Sequence, residues 1–454
     1  MIEIIGKYTT AVVMIDDVEE ACLNQVYGMV SHPAFTNPIR IMPDTHAGKG
    51  SVIGFTMELS DKIVPNVVGV DIGCGMLSFK VGRPSSHLRD IDHEIKRSIP
   101  TGTYMHDRFM ATPDDFTEMF SAASLSCKLF VMEYNKKFGT SYEPMKYDPI
   151  AFERLMRKIG VDRARVMNSI GTLGGGNHFI EMGVDGDGQY WVTIHTGSRK
   201  FGESVCRYHQ DHAKKLLEHR RKVELAEGIR EITKTHSDAP AKIEPAIASL
   251  KESLGLNFGT DINDMEFLTG QDAMEYFFDM IIAQKYAELS RKVIRRIILS
   301  NAFGVDDDVE SIECVHNYID FHDMVIRKGA IRAYSSELSI IPFNMEDGML
   351  IVRGKDNADW NCSAPHGAGR LMSRSRAKDV LSLDDMKDGM KKAGVYSSSL
   401  CMNTLDEAKG AYKPAALIES LVSPTVDVVY KIRPVLNIKD SSAEMSKRRN
   451  KKQK

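Results

Sequence analysis

No two cysteines in this chain of 454 residues form a CxxC pair, and the seven present are scattered singly from Cys22 to Cys401. That excludes a zinc ribbon and argues against a disulfide framework. The cysteines are expected to be single thiols, most of them buried as small apolar residues. No apolar run approaches the roughly 18 residues of a membrane span, so no membrane partner is expected. The opening MIEIIGKYTTAVVMIDD carries early acids and no cleavage-site pattern. A signal peptide is therefore not expected, and a cytoplasmic location is the default. Neither sign of charge dominates. The net charge is −3, so contact with nucleic acid would have to come from a local patch. The plainly basic segment is KRRNKKQK at 447–454. It reads either as a solvated, disordered end or as an arm that adds salt-dependent phosphate affinity. Internal repeats are absent too. What remains is 43% hydrophobic and 27% charged, the composition of an ordinary globular protein long enough for a large core.

Short apolar runs punctuated by Gly, Pro and Asp make residues 1–83 strand-rich, and the run 63–70 reads as a buried strand. Helical periodicity takes over in PDDFTEMFSAASLSCKLFVMEYNKKF and in AFERLMRKIGVDRARVMNSI. Strands return at HFIEMGV and YWVTIHTG, joined by the turn signal DGDG. Residues 203–300 are helical and highly charged, and read as an insertion. Strands and turns resume over 310–370, and 424–438 reads as closing strands. The expected fold is α+β, a single large catalytic domain of mixed sheets over 1–439, followed by a basic tail at 440–454.

The chemistry gathers where glycine does. GVDIGCGM places Asp71 and Cys74 three positions apart in a glycine-rich turn. His178 follows the GGGN run, His195 sits at a strand end in VTIHTGSR, His316 precedes NY, and His366 opens HGAGR. A lone histidine is ordinarily structural. Four in polar, glycine-rich turns, together with a carboxylate and a thiol, point to a site. The others, such as His87, His93, His209, His212, His219 and His236, have polar surroundings and are expected at the surface. Asp71, Cys74 and three histidines are competent ligands for zinc, iron, cobalt or manganese, and a thiolate can bridge two ions that clamp a phosphoryl group. Arg370, Arg374 and Arg376 follow His366 closely. Arginine forks match phosphate oxygens, so a phosphorylated substrate is expected.

Taken together and in order, MPDTHAGKGSVIG, GVDIGCGM, GTLGGGNHFIEM, HTGSR, HNY, RKGA, HGAGRLMSR, LDEAKGAYKP and PVLNIK resemble the RtcB family of RNA ligases, from about residue 40 to 439. The resemblance implies an enzyme of RNA repair or tRNA splicing. It would join an RNA 3′-phosphate or 2′,3′-cyclic phosphate to a 5′-hydroxyl, using GTP and two Mn²⁺ ions and passing through a histidine–GMP intermediate. It casts His366 as the nucleophile and Cys74 as the bridging metal ligand. His178 and His195 would complete one ion's set, and Asp71 and His316 the other's. Asn177, Phe179, Glu181, Gly367, Gly369, Arg370 and Lys439 fall, with His366, to the nucleotide. Two segments depart from the family pattern. Thr45 and Lys49 replace commoner residues, and IIPFNMEDGMLIVRGK (340–355) stands where a GSMG-type segment is usual. The second departure motivates an alternative, a metal-dependent RNA end-processing phosphodiesterase or phosphatase that does not ligate.

Overall fold

The computed structural model describes residues 1–253 and 265–441. The basic segment 447–454 lies outside the described residues. Two large sheets carry the architecture. The first has six strands in the order β1 (Ile2–Ile5), β2 (Thr10–Val13), β3 (Ile39–His46), β4 (Ile53–Glu58), β12 (Val325–Lys328) and β11 (Asn317–Asp320). The second has seven, ordered β10 (Ser311–Val315), β6 (Gly75–Val81), β8 (Tyr190–Thr196), β7 (Phe179–Val184), β17 (Val426–Ile438), β15 (Gly348–Gly354) and β14 (Leu338–Asn344). Two small pairs complete the described strands: β13 (Ala330–Arg332) with β16 (Ser363–Pro365), and β5 (Lys62–Ile63) with β9 (Leu268–Thr269). The mixture of helices and sheets is the expected α+β.

Alternation along the strands explains how the second sheet is covered on both faces. Leu77, Phe79, Ile180, Met182, Val192 and Ile194 enter the main core. Met76, Phe179 and Trp191 point the other way and pack with Met349, Ile351 and Ile432 in a second cluster. The first sheet sends Val13, Ile41, Phe55, Met57 and Ile326 into the same main core.

Helices fill the space between. α1 (Glu20–Val30) flanks the first sheet. The run 63–70 is not a strand. Pro65 lacks an N–H for a ladder, and its fixed φ suits a helix's first turn. After two strand residues the chain therefore makes α2 (Pro65–Val68), which ends at Gly69 with φ +92°. Downstream come α3 (Leu88–Ser98) and α4 (Pro113–Phe138), the latter opened by a Thr112–Asp115 capping box. The periodic stretch 151–170 is two helices rather than one, α5 (Pro149–Lys158) and α6 (Arg163–Ser169), because Gly160 takes φ +67° between them. α7 (Arg199–Thr235), α8 (Ile243–Ser253) and α9 (Gly270–Ile298) make up the charged helical region. Its parts are unlike. The buried residues of α7 all lie within 201–213, and the rest of the helix meets solvent. α9 is walled in along its length, and Met274, Phe277, Ile281, Tyr286 and Val293 sit in the main core beside both sheets. The second half of 203–300 is thus a core element of the domain. Last come α10 (Arg374–Val380), α11 (Leu383–Ala393) and α12 (Ala415–Val422). The closing segment is the single 13-residue strand β17, which pairs with β15 along its first half and with β7 along its second.

Candidate metal centre and nucleotide cavity

Strand order decides which side chains meet. β6 lies between β10 and β8, with Gly75 opposite both Val315 and Thr196. Cys74, just before β6, therefore comes level with His316, just after β10, and lies diagonally across from His195 on β8, the partner of Met76. The backbone ties them: His316 N donates to Cys74 O at 2.9 Å, and Gly73 N to Asn317 O at 2.8 Å. His178 precedes β7 on the other flank of β8, beside Asp71 in the turn.

The ligand atoms form two overlapping groups, Cys74 with His195 and His316, and Cys74 with Asp71 and His178. Cys74 Sγ lies 3.3 Å from His195 Nε2 and 3.6 Å from His178 Nε2. His195 Nε2 is 3.2 Å from His316 Nε2, and His178 Nε2 is 2.9 Å from Asp71 Oδ2. By proximity His195 lies beside His316, because their strands flank Cys74, and Asp71 lies beside His178; the resemblance implies the other pairing, His178 with His195 and Asp71 with His316.

The donor set fits divalent cations. His178 Nδ1 donates to Leu173 O at 3.0 Å, and His195 Nδ1 to Asn177 O at 3.2 Å. Those carbonyls fix the tautomers and leave the Nε2 lone pairs facing the cluster. His178 Nε2 faces an Asp71 carboxylate oxygen at hydrogen-bond distance, where a proton or a bound cation satisfies both. Burial pushes the imidazoles of His195 and His316 well below their ordinary value, with neighbouring imidazoles adding to the effect, which suits them to bind a cation. Burial and the Asp71 charge raise the Cys74 thiol; a bound cation would reverse that and favour the thiolate. Gly174 is required beside this cluster. It has φ +91°, and a Cβ there would strike the Arg199 guanidinium and His178 Nδ1.

His366 follows β16, which β13 holds near Gly329 and the centre. Its ring lies 4.8 Å, centroid to centroid, from that of His316. Its Nδ1 donates to the fully buried Asp44 at 2.7 Å, which leaves Nε2 as the free nucleophilic nitrogen. Asp44 is itself held in place: the buried Lys413 ammonium donates to Pro43 O and Thr45 O, both at 2.9 Å. Gly369, at φ +74°, packs so tightly on Asp44 that a Cβ would collide with its backbone.

A family model described as "tRNA-splicing ligase RtcB" matches residues 25–440. The chain belongs to the RtcB family. It is 27% identical over 443 residues to the RNA-splicing ligase RtcB of Escherichia coli K12, covering 93% of this chain and 95% of that one. Its identity to the tRNA-splicing ligase RtcB of Archaeoglobus fulgidus is 25%, covering 91% and 88% of the two chains. The RNA-splicing ligase RtcB homolog 1 of Entamoeba histolytica is also 25% identical, covering 92% and 83%.

One cavity of about 480 Å³ adjoins the RtcB centre. Asn177, Phe179, Glu181, His366, Gly367, Gly369, Arg370 and Lys439 all line it, as do His195 and His316. The 340–355 segment is the β14–β15 hairpin, and its Pro342, Phe343, Asn344 and Met345 form part of the same wall. Glu181 is buried and accepts from Asn437 Nδ2 at 2.8 Å, while Glu181 Oε1 and Asn437 Oδ1 lack partners. Burial pushes the Glu181 carboxyl up to about 8, against the pull of Asn437 and Lys439. Asn437 Oδ1 is an unpaired acceptor, and a ring that presents N–H donors would favour the ionised Glu181, whose Oε1 is then a second; Phe179 offers a face at one side. Lys439 Nζ lies 5.5 Å over the Phe179 ring and 3.1 Å from Glu407.

Further residues at or beside this cavity lie outside the expected site set. Asp44 and His46 lie in the first motif; Glu407 and Tyr412 lie in LDEAKGAYKP. Glu407 accepts from Arg370 at 2.6 Å, Arg374 at 2.8 Å and Tyr412 at 2.7 Å. Burial alone would raise its carboxyl, but Lys439, Arg374 and Arg370 outweigh burial and bring it down to about 2. Arg376 is exposed, a solvated position on α10. His209, expected at the surface, is buried on the inner face of α7, where Nε2 meets Asp279 of α9 at 2.7 Å. None of the seven cysteines is in a disulfide; six are buried and Cys362 is half-buried. Among the described residues no helix is long and apolar enough to cross a membrane.

Proposed function

We propose that this protein is an RNA ligase that joins a 3′-phosphate or 2′,3′-cyclic phosphate end to a 5′-hydroxyl end, with GMP carried on His366 between steps. One observation carries the reading. A buried carboxylate, Asp44, orients a histidine whose free nitrogen belongs to the same cavity as the ligand cluster and the unpaired acceptors of Glu181 and Asn437.

Cys74, Asp71 and His178 would hold one Mn²⁺, and Cys74, His195 and His316 the other. Bound there, the ions would neutralise phosphate charge and stabilise the charge that develops at phosphorus. His366 Nε2 attacks the α-phosphorus of GTP. An N–P bond forms, the bond to pyrophosphate breaks, and Asp44 supports the charge gained by the ring. An oxygen of the RNA 3′-phosphate then takes the GMP and the N–P bond breaks. The 5′-hydroxyl of the second end displaces GMP to form the phosphodiester. A cyclic phosphate is first opened by water. Phe179, Glu181, Asn437 and Lys439 select guanine, with Glu181 accepting from its ring N–H and amino groups. Arg370 and Arg374 lie where they can meet phosphate oxygens.

Intact-mass analysis after incubation with GTP and Mn²⁺ near neutral pH tests this. A GMP adduct is expected on the parent and none on His366→Ala. Bound metal with no adduct would overturn it in favour of an end-processing hydrolase. That outcome would direct attention to the 340–355 hairpin, which lines the cavity.

A further inference from the structure

Arg291, on the core helix α9, is completely buried. Its guanidinium reaches three segments at once. Nη1 donates to Gly73 O at 2.8 Å and to Thr196 O at 2.9 Å. Nε donates to the Glu313 carboxylate at 2.6 Å. Gly73 immediately precedes Cys74, Thr196 immediately follows His195, and Glu313 lies three residues before His316. One planar group thus ties together the backbone of β8, the turn before β6 and a side chain of β10. The turn also leans directly on α9. Gly73 has φ +72°, and a Cβ there would stand 3.0 Å from both the Ala287 Cβ and the Gln284 Cα. A rigid fork with donors in fixed directions can set the spacing of two carbonyls, which a flexible ammonium cannot. A buried guanidinium beside a cation site would repel the cation if unpaired; Glu313 supplies the compensating charge.

We propose that Arg291 is a positioning residue for the metal centre, holding Cys74, His195 and His316 at ligand spacing through Gly73, Thr196 and Glu313. The inference rests on the reading of those three residues as metal ligands. Outer partners that orient ligands typically change metal affinity 10–100-fold when removed.

The test is a Co²⁺ titration of the full-length protein, followed through the thiolate-to-cobalt absorption band. Thermal unfolding of the metal-free protein runs alongside. The variants are Arg291→Met, Arg291→Lys and Cys74→Ala, with Ile297→Val as a core variant that only destabilises. Arg291→Met is expected to bind Co²⁺ about 10–100-fold more weakly. Arg291→Lys should fall between it and the parent, because a lysine keeps the charge and reaches one carbonyl. Ile297→Val should lower the unfolding temperature at unchanged affinity. If Arg291→Met does not fold, Arg291→Lys decides: reduced affinity supports the proposal and the parent's affinity overturns it. A loss of affinity shared by Ile297→Val in proportion to stability also overturns it. Parent protein that binds no Co²⁺ would sink the metal reading and this inference with it. Parent that binds and loses the band in Cys74→Ala, while both Arg291 variants match it, would sink the Arg291 role alone.

Discussion

The two halves of the cavity treat buried charge in opposite ways. On the metal side, a thiol, a carboxylate and three imidazoles converge with lone pairs facing one another, and His316 Nδ1 is left without a partner. On the nucleotide side, Arg370, Arg374 and Lys439 converge on Glu407, so cations and carboxylate already satisfy one another. One half gathers groups that a cation would satisfy. The other is a network whose own cations and carboxylate satisfy one another. Removing a residue from the first half should therefore abolish binding of a cation. Removing one from the second should redistribute charge and alter nucleotide use.

The largest effect is expected at Cys74, the residue common to both ligand groups. Cys74→Ala should lose tightly bound metal on dialysis and cut formation of the His366 adduct by about a thousandfold or more, as expected when charge stabilisation worth several kcal/mol is lost. Metal content by elemental analysis and adduct by intact mass check this. Retention of both metal equivalents would show that the two groups do not share Cys74, and the contrast between the halves would lose its basis.

Glu181→Gln should affect the other half alone. A buried acceptor built for N–H donors discriminates strongly, because a mismatched partner leaves it unpaired. Metal content is expected to match the parent while use of GTP falls about a hundredfold, equivalent to about 2.7 kcal/mol. Competition between GTP and ATP in the adduct assay measures it. Unchanged preference would place the base elsewhere in the cavity.

That Asp71, Cys74, His178, His195 and His316 belong together is legible in sequence, because glycine or asparagine stands close to each, and the structure brings them into two overlapping groups. Which of them lie side by side is not legible, because it depends on β10, β6 and β8 being neighbours, and those strands are more than a hundred residues apart in sequence. The long helices α4, α7 and α9 were also visible from periodicity. That α9 is a core element was not, since charged residues such as Arg291 and Asp279 disguise it and are matched only by partners on other elements. His209 misled for the same reason. Its neighbours in sequence are polar, but Val205, Cys206 and Ala213 share its buried face. Asp44 and Glu407 were present in quoted motifs, but their roles depend on residues more than thirty positions away in sequence, His366 and Lys439.

Glu407 offers a quieter test of the charge network, in stability and not in chemistry. Its carboxyl titrates near 2 in the folded protein, against about 4.3 for an unperturbed glutamate. A depressed folded value contributes stability that is fully present above the unfolded value and is lost as pH falls toward the folded one. The contribution is about 3 kcal/mol, because each unit is worth about 1.4 kcal/mol. Glu407→Gln should therefore be less stable than the parent in urea at pH 7 by an amount of that order. The gap should narrow as pH falls from about 4.5 toward 2, where the parent's carboxylate is also neutralised. Metal content should stay at the parent's level throughout. A stability gap that does not change with pH would mean that Glu407 contributes through packing, and the nucleotide side would then owe its shape to something other than the charges gathered on it.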